Sequence, residues 1–398
     1  MNPEYNPDDI VIVAAKRTPS GALLGGLSTI PTPILGATAH MAALEQSGLK
    51  PALIDEVLTG CVLSAGLGQA PARQAALHAN IPNSTPATTL NKMCGSGMKA
   101  VMLAHDIIRA GSAECVLAGG MENMSRAPYL VPKAREGYRL GHGQLLDHLC
   151  LDGLEDAYEP GQLMGVFADR TAEKLGFTRD IQDAFATQSM QRALNAQQQG
   201  AFADEIAPVS VKTRKGTHVI DQDEGPDASK LEKLSRLKPA FGVDGTVTAG
   251  NASSIADGAA SLILMSAQAA EAQGIKPLAR IKAHATHAGP PEWFTTAPAD
   301  AIQEVLSRAG WTHDDVDLYE INEAFAVVTL AAIKALSLDG NKVNIHGGAC
   351  ALGHPIGASG ARILVTLIHT LQQKQVTRGI AALCIGGGEA TAVAIERL

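Results

Sequence analysis

Two stretches decide how this chain folds: Ser96–Glu122, SGMKAVMLAHDIIRAGSAECVLAGGME, and Ser359–Glu389, SGARILVTLIHTLQQKQVTRGIAALCIGGGE. In each, Ser-Gly opens a helix (Gly97–Ala110 and Gly360–Gln373) and a strand follows (Glu114–Ala118 and Gly379–Ile385). Each strand then leaves into glycines, Gly119-Gly120-Met121-Glu122 in one case and Gly387-Gly388-Glu389 in the other. Helix start, strand and exit recur in order. Duplication of one βαβ-containing half explains that order better than chance similarity of two strand–Gly turns.

Working outward, Ile10–Ala14 reads as a buried strand, Pro33–Ser47 as a helix, Val57–Val62 as a strand and Pro71–Ala79 as a helix. Further on, Ala299–Ala309 reads as a helix, Val316–Glu320 as a strand and Ala324–Leu336 as a helix. The alternation predicts an α/β sheet with helices on its faces. It breaks between Met121 and Val247, where Pro, Gly and charges cluster at Pro128–Arg139, Lys212–Lys215 and Asp221–Asp227. One helix stands in that stretch, Thr178–Gln199, opened by Thr178 and closed by Gly200. We read an inserted lobe, with the sheet resuming at Ala260–Met265. Loop-rich insertions on rigid cores often carry substrate binding.

The bulk properties narrow the function. At 398 residues and 46% hydrophobic, the chain exceeds one core of usual size, so two or three domains or subdomains are expected. A net charge of −8 without a long basic run argues against nucleic acid as a partner. Cys61, Cys94, Cys115, Cys150, Cys350 and Cys384 form no CxxC pair and no zinc spacing. Their spread predicts reduced thiols and a cytoplasmic protein without a metal centre. The start, MNPEYNPDD, lacks the basic and apolar features of a signal peptide, and no membrane span is expected.

Four Gly-framed clusters could carry chemistry. In Asn91–Gly97, Cys94 stands just before a helix, where N–H groups and the macrodipole favour thiolate; a small buried hydrophobe is the bland alternative. In Gly347–Gly360, five glycines frame His354, a candidate proton acceptor or a core histidine. The Cys384–Glu389 run joins a second thiol to backbone N–H groups that can face an oxyanion, or is an ordinary strand exit. In Asn322–Ala326, Asn322 could fix a water or donate directly and Glu323 could cap a helix; a plain capping motif accommodates both. Taken together, two thiols, one His and two donor loops suit acyl transfer with carbon–carbon bond formation. Hydrolysis needs only one Cys.

At these residues the chain resembles the thiolase family over nearly its whole length. The motifs are NKMCGSG at Asn91–Gly97, GGMENMS at Gly119–Ser125, GTVTAGNAS at Gly245–Ser253, NEAFA at Asn322–Ala326, GHPIGASG at Gly353–Gly360 and CIGGGEA at Cys384–Ala390. The resemblance implies two βαβαβαββ halves in a five-layer αβαβα core: 1–120 with 248–275, and 276–398, with a loop domain at 121–247. It implies a homo-oligomer, tetramer or dimer, acting on acyl-CoA substrates, with no permanent cofactor and coenzyme A as acyl carrier. By matching positions, Cys94 would be the acylated nucleophile, His354 its activator and Cys384 the acid/base at the α-carbon. Asn322 would hold a water that, with His354, faces the enolate oxygen. The N–H groups of Cys94 and Gly386 would form a second oxyanion hole. Ser253 would contact the pantetheine arm, lined by Ala249 and Gly250, with Met164 and Phe325 also at the substrate.

The implied reaction is acetyl-CoA C-acetyltransferase chemistry: two acetyl-CoA reversibly give acetoacetyl-CoA and CoA. The alternatives are a 3-ketoacyl-CoA thiolase of broad chain length, a decarboxylating condensing enzyme, a non-catalytic CoA- or lipid-binding relative and a cysteine hydrolase. The Cys384 cluster argues against the condensing enzyme and the hydrolase. The chain also departs from the family pattern. Leu163-Met164 stands where a His-Met pair is common, His287–Phe294 replaces a Met-Gly-x-Gly-Pro loop, and Ser254 follows Ser253 in place of Gly. Pro226 and Asp227 stand where a basic residue is common, so Lys230, Lys233 and Arg236 are candidates to meet the CoA phosphates. These departures bear on chain length and phosphate contacts. The segment Pro128–Gly143 could be a tetramerisation loop or a surface excursion.

Overall fold

The computed structural model describes residues 6–398, so Met1–Tyr5 of the polar N-terminal stretch lie outside the described residues. The first half runs β1 (Ile10–Arg17), α1 (Thr32–Ser47), β2 (Glu56–Gly60), α2 (Pro71–His78), β3 (Ala87–Leu90), α3 (Ser96–Arg109) and β4 (Cys115–Asn123). The inserted segment carries α4 (Met164–Leu175) and α5 (Arg179–Gln198), after which β5 (Ala256–Ser266) completes the sheet. The second half repeats the order: β6 (Ala279–Ala288), α6 (Ala297–Ala309), β7 (Leu318–Ile321), α7 (Ala326–Leu336), α8 (Ile356–Lys374), β8 (Arg378–Ile385) and β9 (Glu389–Arg397). An isolated parallel bridge, Tyr319 to Val343, stands where the first half has β3.

Each half is a mixed sheet, ordered β3-β2-β4-β5-β1 and β7-β8-β9-β6. The β2, β3 and β4 pairings are parallel, and so is β7 with β8. The returning strands pair antiparallel, Asp257 opposite Asn123 and Cys384 opposite Ala390. The sheets pair edge to edge through Val11 with Arg280 and Ile12 with Ala279. Helices α1 and α2 cover one outside face, α6 and α7 the other, and α3 and α8 contact both sheets from between them. The layers are therefore αβαβα. Helix α8 is buried from Ile356 through Leu371, as a helix in a middle layer must be.

The two central helices meet through the duplicated Ser-Gly pairs. A Cβ on Gly97 would come 2.9 Å from the Ala361 nitrogen, and one on Gly360 would come 2.6 Å from the Met98 nitrogen. Glycine lets the two backbones approach this closely.

Several boundaries differ from the sequence reading. The glycines Gly119-Gly120 do not end β4, which continues to Asn123. A Cβ on Gly120 would lie 2.0 Å from the Gly357 oxygen, so these glycines mark a close backbone approach, not an exit. Helix α8 starts at Ile356, ahead of Ser359-Gly360. The sequence reading had no strands at β3, β6 or β9 and no helix at α4.

The insertion is fastened by a buried ion cluster. Arg17 on β1 meets Glu205 at 2.5 Å and Asp223 at 2.7 Å, all three essentially without solvent exposure. Thr178 caps α5 by accepting from the Ile181 N–H, as its sequence predicts. Among the described residues, no helix is long and apolar enough to cross a membrane.

Candidate active site

Cys94 and His354 each stand two residues ahead of a central helix, α3 and α8. The packing of those helices through glycine brings both residues to one cavity of about 210 Å³. Its wall includes Cys94, His354, Gly386, Ser253, Met164 and Phe325. The Cys94 loop reaches the end of β8 because Gly95 has no side chain; a Cβ there would sit 2.4 Å from the Ile385 Cδ1.

Burial pushes the Cys94 thiol up to about 11, against the backbone N–H groups of Gly386 and of Cys94 itself, which favour the thiolate. The backbone N–H groups act in the direction read from the sequence, but burial is the larger effect. Ionisation needs a base. His354 is suited to that, because burial, helped by Arg362, lowers its pKa to about 3 and keeps the imidazole neutral. Its Nδ1 lies 2.5 Å from the Ser359 hydroxyl, which in turn donates to the Pro355 carbonyl at 2.9 Å. The hydroxyl's one proton is committed to that carbonyl, so Nδ1 carries the ring proton and donates to Ser359 Oγ, which leaves Nε2 an unprotonated acceptor. Nε2 is buried and has no protein partner.

Asn322 is 1% exposed. Its N–H is tied to the Ala382 carbonyl at 3.0 Å. The Arg362 guanidinium donates to its Oδ1 at 3.5 Å, and its Nδ2 has no protein partner. One buried donor on Asn322 and one buried acceptor on His354 therefore remain unsatisfied among the described residues, a costly state unless a ligand or water pairs with them.

Cys384 is fully buried and does not line the cavity. Burial and the neighbouring Cys94 sulfur push its thiol well above the ordinary range. Ser253 lies beside Phe325, its N–H donating to the Ala324 carbonyl at 2.9 Å. Ala249 and Gly250 belong to an adjoining turn and do not line the cavity. Lys230 is tied to the Gly225 carbonyl at 2.8 Å, while Lys233 and Arg236 are exposed.

The capping role read for Asn322-Glu323 is corrected. Phe325 precedes α7 without any side-chain cap. The buried Glu323 carboxylate instead accepts from Ser189 Oγ at 2.7 Å, Asn344 Nδ2 at 2.8 Å and the Cys350 N–H at 3.0 Å. It braces the Gly347–Cys350 turn that leads to His354.

Sequence reasoning gave no role to Leu154, Tyr158 and Ile356, which line the cavity, or to Ser359, which orients His354. Tyr158 lies 3.7 Å from where a Cβ on Gly387 would be. It follows a π-helical turn, Cys150–Leu154, whose sequence carries no periodic signal. Glu122 was quoted only within a motif. Its carboxylate accepts from the N–H groups of Val62, Leu63 and Gly357 at 2.9, 3.0 and 2.9 Å, which joins β4 to the start of α8.

A doubled αβαβα core whose halves bring Cys94 and His354 to a shared cavity defines the class of this protein. Residues 10–268 match the thiolase N-terminal domain and residues 275–397 the thiolase C-terminal domain, and the chain belongs to the thiolase family. It is 52% identical over 392 residues to an acetyl-CoA acetyltransferase of Chromobacterium violaceum, covering 98% of this chain and 100% of that one. An acetyl-CoA acetyltransferase of Escherichia coli is 52% identical over 390 residues, covering 98% and 99%. The crystal structure of the Bacillus anthracis acetyl-CoA acetyltransferase superposes with a TM-score of 0.96 at 42% identity, covering 98% of this chain and 99% of that one.

Proposed function

We propose that this protein is an acetyl-CoA C-acetyltransferase, condensing two acetyl-CoA to acetoacetyl-CoA and CoA, or running the reverse thiolysis. The observation that carries the reading is the meeting of Cys94 with a neutral His354, its Nε2 unpartnered, and the Gly386 backbone at one apolar cavity. The close relatives with that activity support it.

In the forward direction the Cys94 proton passes to His354 and the thiolate attacks the acetyl thioester. The C–S bond to CoA breaks, and the leaving thiolate takes the Cys384 proton. A second acetyl-CoA then binds. The Cys384 thiolate removes a proton from its methyl group, and the carbanion attacks the Cys94 acetyl thioester. Cys94 leaves and recovers its proton from His354, so atoms and charges return to the start. The N–H groups of Cys94 and Gly386 face the oxyanion on the Cys94 acyl group, while His354 and Asn322, the latter through a water, face the enolate oxygen. Removing one such donor costs about a hundredfold or more in rate.

Ser253, with Ala249 and Gly250, would contact the pantetheine arm, and the exposed Lys233 and Arg236 would meet the CoA phosphates. The protein works as a cytoplasmic homo-oligomer, dimer or tetramer. Six free cysteines and the exposed Tyr129, Val131, Leu140 and Leu145 of the inserted segment support this.

The test is CoA-dependent thiolysis of acetoacetyl-CoA beside 3-oxo-octanoyl-CoA, with Cys94→Ala as control. The expected result is strong preference for acetoacetyl-CoA, lost in the control. Equal or greater activity on the longer chain would make the protein a general 3-ketoacyl-CoA thiolase. No activity on either would overturn the assignment.

A further inference from the structure

A second side-chain cluster lies away from the cavity, where α3 of the first half passes β6 of the second. His105 and Asp106 stand in the last turns of α3, and His284 in the middle of β6. One oxygen of Asp106 takes both imidazoles, His105 Nδ1 at 3.0 Å and His284 Nε2 at 2.8 Å. The rings stand edge to face with centroids 5.0 Å apart. One ligand atom from each residue falls within 4.8 Å of the others. The imidazole side chains are 12% and 14% exposed, while Asp106 is 50% exposed and closes the cluster from outside.

We propose that His105, Asp106 and His284 bind a divalent transition metal of the zinc class, joining the two halves of the chain. Two imidazoles and a carboxylate are a borderline ligand set that suits Zn²⁺, Co²⁺ or Ni²⁺, with water completing the shell. Ligands at 2.0–2.1 Å in a tetrahedral site lie about 3.4 Å apart. The two separations from the Asp106 oxygen need to open by about half an ångström, which the half-exposed Asp106 side chain permits. Each ring keeps one proton and moves it to its far nitrogen, so its lone pair turns to the cation. His284 Nδ1 is buried without a hydrogen-bond partner among the described residues, so it is free to take the ring proton, with water as the acceptor its N–H then needs. Lys99 is the cation that opposes the site, and the Arg308 guanidinium is engaged by the His284 carbonyl at 2.8 Å.

The cluster lies eleven residues along from Cys94, about 16 Å at 1.5 Å per residue, so loading should stabilise the protein without entering the reaction. The experiment is Co²⁺ titration of chelator-stripped full-length protein in a Cys94→Ala background, together with thermal unfolding in Zn²⁺. The expected result is one equivalent of Co²⁺ giving visible d–d bands without thiolate charge transfer, and a rise in Tm of several degrees with Zn²⁺. Asp106→Ala, at a half-exposed position with no core role, should weaken binding at least about tenfold, and His105→Gln should abolish the spectrum. Absence of a Co²⁺ spectrum at one equivalent, a thiolate band, or binding unchanged in both variants would overturn the proposal.

Discussion

Gly120→Ala tests how the catalytic residues are held. A Cβ at this position would lie 2.0 Å from the Gly357 oxygen and 2.9 Å from the Ala358 Cα, backbone atoms that cannot rotate away. An unstrained contact needs more than about 3 Å, so β4 and the first turn of α8 must separate by about 1 Å. Overpacking of this kind costs about 1–3 kcal/mol. For 398 residues, an unfolding entropy of about 2.1 cal/mol/K per residue makes that a fall in Tm of about 1–4 °C. The larger effect falls on catalysis. Gly357 stands three residues after His354, and a misplacement of about 1 Å costs about a hundredfold in rate. The assay is the kcat of acetoacetyl-CoA thiolysis beside thermal unfolding at fixed protein concentration. Gly340→Ala serves as control, because its Cβ would meet nothing within 4 Å. A Gly120→Ala protein with kcat within about twofold of the parent and an unchanged Tm would refute the close strand–helix contact and the dependence of His354 on it.

Other outcomes follow from the same structure. Arg17→Met strands the buried carboxylates of Glu205 and Asp223; stability should fall by about 3–5 kcal/mol in urea unfolding. Burial lowers both His40 and His354 to about 3, so between about pH 6.5 and 3 the unfolded chain binds protons that the folded imidazoles refuse. Stability should therefore decline as pH falls through that window, by up to about 1.4 kcal/mol per pH unit for each histidine, and His40→Gln should flatten the slope by one such share. Cys384→Ala should still release one equivalent of CoA from acetyl-CoA and retain an acetyl group on Cys94, seen by mass spectrometry, while forming no acetoacetyl-CoA. Ser359→Ala removes the hydroxyl that fixes the His354 ring, and kcat should fall about tenfold with little change in KM.

Much of the fold was legible because glycines punctuate it twice in the same order. The Ser96–Glu122 and Ser359–Glu389 stretches gave both central helices and the strands that follow them. Strand β6 was not legible, because ARIKAHATHA alternates small residues with Lys and His and shows no apolar run. Strand β9 was hidden behind the glycine run before it. Gly120 was misread because a glycine that ends a strand and one that admits a neighbouring backbone look alike in sequence. At the site, Cys94, His354, Gly386, Ser253, Met164 and Phe325 converge on one cavity from motifs far apart in the chain. Tyr158 and Leu154 had no motif around them. The resting state of Cys94 was beyond reach, since the burial that outweighs the N–H groups of Gly386 and Cys94 exists only after folding.

The contact between the two central helices is reciprocal: Gly97 faces Ala361 as Gly360 faces Met98. In the register that equates Ser96 with Ser359, these are the same contact seen from either side, the geometry of an isologous dimer interface closed within a single polypeptide. Such a surface is self-complementary and now has its partner permanently attached. No other copy of the chain can use it, so any homo-oligomer must be built from surfaces that the duplicated halves do not share with each other.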